Sequence, residues 1–303
     1  MSRENGQIRP FLKSIRILIL EYLMSYMQKK YRCRNIIEVK QYHTARYGAP
    51  GQPRQKKTKP TPEAVKKQNQ RRKEEKVGRI IAANFDEGDY VRTLTFAPAQ
   101  RPADMKEAQA ALKDFYQKLR REYRKRYFDL LWIANIEVTP RGAWHVHFIC
   151  NAIFGGGDLI KELWPHGGVY DQLIRDITRS GNELGAYMAK TPDSTAAAGE
   201  HRVAESKLTH SKNLVIPEAE EKAISGWKLE DAPRVPKGWY LIKDSYFEGT
   251  NMDGYRFRTF KLARLNPLPP RDRSWKPPAA GRKRKRNAGR HLHGGKQQKA
   301  RQR

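Results

Sequence analysis

Leu131-Trp132-Ile133-Ala134-Asn135-Ile136-Glu137-Val138, followed by Thr139-Pro140-Arg141-Gly142-Ala143 and then Trp144-His145-Val146-His147-Phe148, is the stretch that decides the fold. Both flanks alternate with a period of two, the pattern of strands buried on one face. Trp132, Ala134, Ile136 and Val138 share an apolar face, as do Trp144, Val146, Phe148 and Cys150. Pro suits the first central position of a type I turn, and Gly the left-handed position of a three-residue hairpin loop. With Pro140, Arg141 and Gly142 as the loop, Thr139 faces Ala143, Glu137 faces His145 and Asn135 faces His147. A two-residue loop would pair Val138 with His145 and mix the faces, which register disfavours. Glu137, His145 and His147 therefore converge on one patch. Two imidazoles and a carboxylate suit Mg²⁺, Mn²⁺ or Zn²⁺. Alternation points Cys150 to the opposite face, which argues against a His145, His147, Cys150 zinc cluster.

Downstream, Ser180 to Pro192 reads as a short helix opening on capping residues and halted by Pro192. Tyr187 and Lys190 are three apart and share a helix face, while Leu184 and Met188 form an apolar stripe able to dock on a sheet. A phenol at its ordinary pKa of about 10 is a weak nucleophile, and a neighbouring cation favours the phenolate.

The rest of the chain falls into segments. Residues 1–39 are an N-terminal extension with a short apolar run from Ile15 to Met24, and Met24 and Met27 are alternative starts to Met1. Residues 40–85 read as a basic arm leading to a charged helix near 62–77. Residues 86–265 form the folded unit, with a strand at Tyr90–Phe96 and a helical stripe of Met105, Ala108, Leu112, Phe115, Tyr116, Leu119 and Tyr123. A helix is expected around Gln172–Arg179, polar sequence of weak helical tendency over 193–235, and a last strand pair at Gly238–Lys243 and Gly254–Phe260. Residues 266–303 are a basic disordered tail that includes Arg282-Lys283-Arg284-Lys285-Arg286; a nuclear-import signal is the competing reading. The order of elements predicts an α+β fold, a central antiparallel sheet with helices packed on one face.

Composition bounds the function. The 61 Lys and Arg against 32 Asp and Glu give the 303-residue chain a formal charge of +29, which favours a polyanionic partner. No apolar run is long enough to span a bilayer, so no membrane role is expected. Two cysteines cannot build a disulfide framework, which suits a reducing cytoplasm. No G-x-x-x-x-G-K-[ST] phosphate loop occurs, so no helicase motor is recognisable.

Thr93-Leu94-Thr95-Phe96, then Glu137 with His145-Val146-His147, then Tyr187 with Lys190, resembles in order and spacing the HUH endonucleases. More narrowly it is similar to the rolling-circle replication-associated proteins of phages, plasmids and integrated elements, in the single-tyrosine class. The resemblance spans roughly residues 88–262. It implies a ferredoxin-like (RRM-like) catalytic fold and a divalent metal, Mg²⁺ or Mn²⁺, held by His145, His147 and Glu137. It implies catalysis by Tyr187, assisted by Lys190, through a 5′-phosphotyrosine link that leaves a free 3′-hydroxyl. The implied partners are single-stranded or hairpin origin DNA and a host helicase and DNA polymerase. A mobilisation relaxase or single-tyrosine transposase uses the same chemistry. A non-catalytic basic DNA-binding protein and an RNA-binding protein are the readings from other classes.

Overall fold

The computed structural model describes residues 26–44, 61–139, 141–190, 205–225, 229, 231–251 and 254–274. The Ile15–Met24 run, Pro192 and the Arg282–Arg286 cluster lie outside the described residues. Described are two antiparallel sheets and four α-helices, an α+β fold as expected. The first sheet has the order β6-β3-β5-β4-β7, with β3 Tyr90–Thr95, β4 Trp132–Val138, β5 Trp144–Cys150, β6 Val169–Leu173 and β7 Glu205–His210. The second has the order β10-β11-β2-β1-β8, with β9 pairing β11. Its strands are β1 Tyr26–Cys33, β2 Ile36–His43, β8 Ala219–Ile224, β9 Trp239–Leu241, β10 Phe247–Thr250 and β11 Arg256–Arg264. The helices are α1 Pro62–Asn84, α2 Met105–Lys125, α3 Gly156–Leu163 and α4 Ile177–Ala189. No described helix is long and apolar enough to cross a membrane.

The two faces of the first sheet differ because its strands alternate. On one face Leu94, Trp132, Ala134, Ile136, Val146 and Phe148 meet α2 and α3 in the largest core. Helix α2 presents Ala108, Leu112, Phe115, Leu119 and Tyr123 to it, each at most 2% exposed, at the spacing that the 3.6-residue repeat dictates. Each large apolar side chain buried this way contributes roughly 1.5–3 kcal/mol. Asp104 starts the helix by accepting a hydrogen bond from the Glu107 backbone N–H at 2.8 Å. Cys150 lies on this side, against the Tyr123 hydroxyl at 3.8 Å, and burial pushes its thiol up to about 12. The opposite face is half apolar and half polar. Val91, Ile133 and Ile149 form the apolar half and receive Val77, Ile80 and Ile81 of α1 and Met188 of α4.

Helix α1 joins the two sheets. Its N-terminus is capped by Thr61 with Pro62 in the first turn, and it carries the charged helix read near residues 62–77 on to Asn84. Val77, Ile80 and Ile81 pack under the first sheet, while Ala82 and Ala83 pack on Cys33 and Ile36 of the second. Arg79 lies 3.9 Å over the Tyr31 ring and donates to Glu38 at 2.9 Å. Residues 26–43, read from sequence as extension and arm, are paired strands whose neighbours are β8 and β11.

Three local expectations are corrected. Residues 169–173 are strand β6 paired with β3, so Gln172 belongs to a strand and the helix starts at Ile177. That helix is continuous through Ala189, so Ser180 does not open it. The 193–235 stretch contributes β7 and β8. The expected final strand pair is present as β9 and β11, with Leu241 opposite Leu262.

Helices α1 and α4 cross where neither has a side chain. A Cβ on Gly185 would stand 2.8 Å from Glu74 O and from both N and Cα of Gly78, all backbone atoms that cannot swing aside. Gly185→Ala is expected to part the helices and destabilise by about 1–3 kcal/mol, as overpacking does. A denaturant titration reads this, and an unchanged midpoint contradicts it.

The start of the C-terminal tail is docked. Arg273 donates from both terminal nitrogens to Asp89 at 2.7 Å and from Nη2 to Asp86 at 3.0 Å, while Arg34 takes the other side of Asp86 at 2.6 Å. The Asp89 carboxylate also accepts the backbone N–H of Ala152 and of Asp86, both at 2.8 Å. Asp89 is 2% exposed, so Arg273→Ala leaves a buried carboxylate short of its cation. The expected loss is roughly 3 kcal/mol, read in the same titration.

Candidate active site

The hairpin loop closes as its residues dictate. Thr139 N–H donates to Ala143 O at 2.9 Å, Ala143 N–H donates back to Thr139 Oγ1 at 3.1 Å, and Gly142 takes the left-handed conformation at φ +73°. Register then places Glu137 opposite His145 and Asn135 opposite His147, as the three-residue loop requires. Across the next ladder Thr93 lies opposite His147 and Thr95 opposite His145. The polar half of the face is thus two rows: Thr93, His147 and Asn135, then Thr95, His145 and Glu137.

Within it, Glu137 Oε2 accepts from His147 Nε2 at 3.1 Å. That hydrogen bond holds the Glu137 carboxyl below the usual carboxylate range against the opposing effect of burial. The positive charges of His147, Lys190 and His145 act in the same direction as the hydrogen bond. Burial, then the neighbouring His147, lowers the pKa of His145, with Arg101 adding to the shift and Glu137 opposing it. A carboxylate that stays ionised and an imidazole that stays neutral are the forms able to donate electron pairs.

The spacing of these donors bears on a cation. Ligands about 2.1 Å from an octahedral ion and at right angles stand about 3 Å apart, which the Glu137–His147 separation matches. Asn135 Oδ1 and His147 Nδ1 are buried polar atoms without a hydrogen-bond partner among the described residues, on the same face. His145, across the hairpin from Glu137, is the remaining donor. Among the described residues no three His, Cys, Asp or Glu side chains stand as a ready-made metal group. The chemistry and the pair spacing fit, and His145 has to close in to complete the set.

Helix α4 brings Tyr187 to this patch. Met188 and Ala189 are fully buried against α1 and the sheet, which fixes the rotation of the helix. Tyr187, 37% exposed, then crosses the His147 ring edge-on, with centroids 4.4 Å apart. Its hydroxyl lies 3.0 Å from Thr93 Oγ1. Lys190 sits one residue beyond the helix. Its backbone carbonyl accepts from Asn135 Nδ2 at 3.3 Å, and its ammonium acts on Glu137. The structure thus gathers Glu137, His145, His147 and Tyr187, with Lys190 flanking Glu137; the group that meets the tyrosine hydroxyl is Thr93.

Sequence reasoning quoted Thr93 without a role for it, and it did not single out Arg101 or Gly185. Arg101 follows β3 within a proline-bounded turn, and its charge bears on His145. Gly185, two residues before Tyr187 in a helix, was the legible signal of close helix contact. Thr93→Val removes the hydroxyl's partner and leaves the fold intact. It is expected to slow the tyrosine chemistry about 2- to 10-fold, the worth of one hydrogen bond, measured as the rate of DNA cleavage.

Residues 89–192 match the family described as Replication-associated protein, of the ORF2 type. That segment is about a third of the 303 residues and runs from β3 through α4, so it contains every residue of the patch. The central region of the chain is similar to replication-associated proteins. No curated protein and no solved structure matches the chain.

Proposed function

We propose that the chain is a replication initiator that nicks single-stranded origin DNA by tyrosine transesterification. The observation that carries this reading is the placement of Tyr187: a half-open phenol edge-on to His147, on the polar half-face of the sheet. The similarity of residues 89–192 to replication-associated proteins and the charge of +29 support a DNA substrate.

In this reading the Tyr187 oxygen attacks the scissile phosphorus. A Tyr187 O–P bond forms, the bond to the 3′ oxygen breaks, and the proton released from the phenol is balanced by the one taken up by the departing 3′-hydroxyl. The DNA 5′ end stays on the enzyme as a phosphodiester, so the step is reversible, and the free 3′-hydroxyl is a primer for a host polymerase. Thr93 orients the phenol. Lys190 and Arg101 add positive charge to a patch that must accept a phosphate. Glu137, His145 and His147 would hold Mg²⁺ or Mn²⁺, which supplies charge neutralisation at the phosphate when bound. The reaction belongs in the cytoplasm, with a host helicase separating the strands.

The test is incubation of the full chain with single-stranded DNA of the replicon that encodes it and Mn²⁺, followed by denaturing electrophoresis. A protein band shifted by covalent DNA is the expected result; cleavage without such a band, or no cleavage at any segment of the replicon, overturns the reading.

A further inference from the structure

The row of Thr93, His147 and Asn135 does not end at Thr93. On its outer side β6 places Tyr170 directly opposite Thr93, on the same face as His147 and Tyr187. Opposed residues on paired strands have Cβ atoms about 4.5–5.5 Å apart, so Tyr170 adjoins the residue that holds the nucleophile's hydroxyl. Tyr170 is 66% exposed, and among the described residues its ring meets no other ring and its hydroxyl no hydrogen-bond partner. A single exposed tyrosine is ordinary; this one stands at the rim of the site, on an edge strand.

The floor beside it is bare. Residues 166–168 run tight along the end of β3: Ala97 N–H donates to His166 O at 2.8 Å and Thr95 N–H to Gly168 O at 2.9 Å. A Cβ at Gly167 would stand 2.4 Å from Thr95 O, so only glycine fits there. At Gly168 the nearest atoms to such a Cβ are Thr95 Oγ1 at 3.3 Å and Tyr170 Cε2 at 3.8 Å. The tyrosine ring therefore flanks a strip of backbone without side chains, leading from the rim toward Thr95 and His145. A flat ring face beside an uncovered strip suits a planar ligand.

We infer that Tyr170 is a stacking platform for a nucleobase of the single strand next to the scissile phosphate. This rests on the proposed nickase reading for its location. The occupant follows from chemistry on the page: a chain of charge +29 draws a polyanion, and the cations flanking the patch, Lys190 and Arg101, bear on its other row. A nucleobase supplies the planar face that a phosphate lacks, and stacking tolerates any base. Asp171 and Leu173 of β6 point to the other face, where Asp171 pairs with Arg92 and Lys161, so they take no part.

The test is binding of a fluorescent single-stranded oligothymidylate by the full chain without divalent cation, comparing wild type, Tyr170→Ala and Tyr170→Phe. A second oligonucleotide carries 5-iododeoxyuridine for ultraviolet cross-linking and peptide mapping. Tyr170→Ala is expected to bind about 5- to 100-fold more weakly, Tyr170→Phe within about twofold of wild type, and the cross-link to fall on Tyr170. Equal affinity of Tyr170→Ala and wild type, or an equal loss in both variants, overturns the platform. Weakened binding in Tyr170→Ala alone, in a protein that forms no covalent DNA adduct, upholds the platform and removes the nickase. Unchanged binding in a protein that forms the adduct does the reverse.

Discussion

Tyr187→Phe is expected to abolish covalent capture of DNA, lowering strand cleavage by a factor on the order of 10⁴ or more, as removal of a nucleophile does. The substitution deletes one oxygen. Met188 and Ala189, which seat α4 on the core, are untouched, and the ring keeps its edge contact with His147. Loss of the Thr93 hydrogen bond costs the fold little, because the hydroxyl lies at an exposed surface. Thermal midpoint and DNA affinity should therefore stay near wild type while chemistry disappears. Retained cleavage by the variant would remove Tyr187 from the reaction.

The second large effect is expected at the histidine pair. His145→Ala combined with His147→Ala should cancel the dependence of cleavage on Mg²⁺ or Mn²⁺ and lower the rate by about 10³-fold, the worth of several kcal/mol of charge neutralisation. It also frees Glu137 from its hydrogen bond with His147, so its carboxyl pKa should rise from its present depressed position. Isothermal titration of Mn²⁺ into both proteins separates binding from chemistry. An undiminished metal response in the double variant would place the cation elsewhere.

The hairpin was legible because three independent constraints agree on one register. The alternation of Trp132 to Val138, that of Trp144 to Phe148, and the Pro-Arg-Gly loop all set Glu137 opposite His145. The α2 stripe was legible for the same reason: five residues at helical spacing, all buried. The second sheet was hidden because its strands carry little apolar pattern. Lys29 and Lys30 interrupt β1, and β8 reads Ala-Glu-Glu-Lys-Ala-Ile, burying only its last residue. Such strands are held by long-range pairing with β2 and β11, which local sequence does not display. β6 failed as a strand reading for a related reason, since Asp171 and Gln172 on an exposed edge have neither alternation nor burial to show.

At the site, residue types gave the donors, but the partner of the phenol depended on how α4 is seated. Spacing put Lys190 on the tyrosine's face of a helix. The helix ends at Ala189, so Lys190 leaves the helical track and bears on Glu137, and Thr93 from β3 meets the hydroxyl. The glycine contact between α1 and α4 that sets this position joins segments far apart in the chain, Gly78 and Gly185.

Mass-spectrometric mapping of the nucleotide left on the protein after cleavage and nuclease digestion tests the central claim most directly. A single phosphotyrosyl-nucleotide on the peptide containing Tyr187 is the predicted result. A nucleotide on any other residue, Tyr170 included, or cleavage that leaves none on the protein, would contradict it.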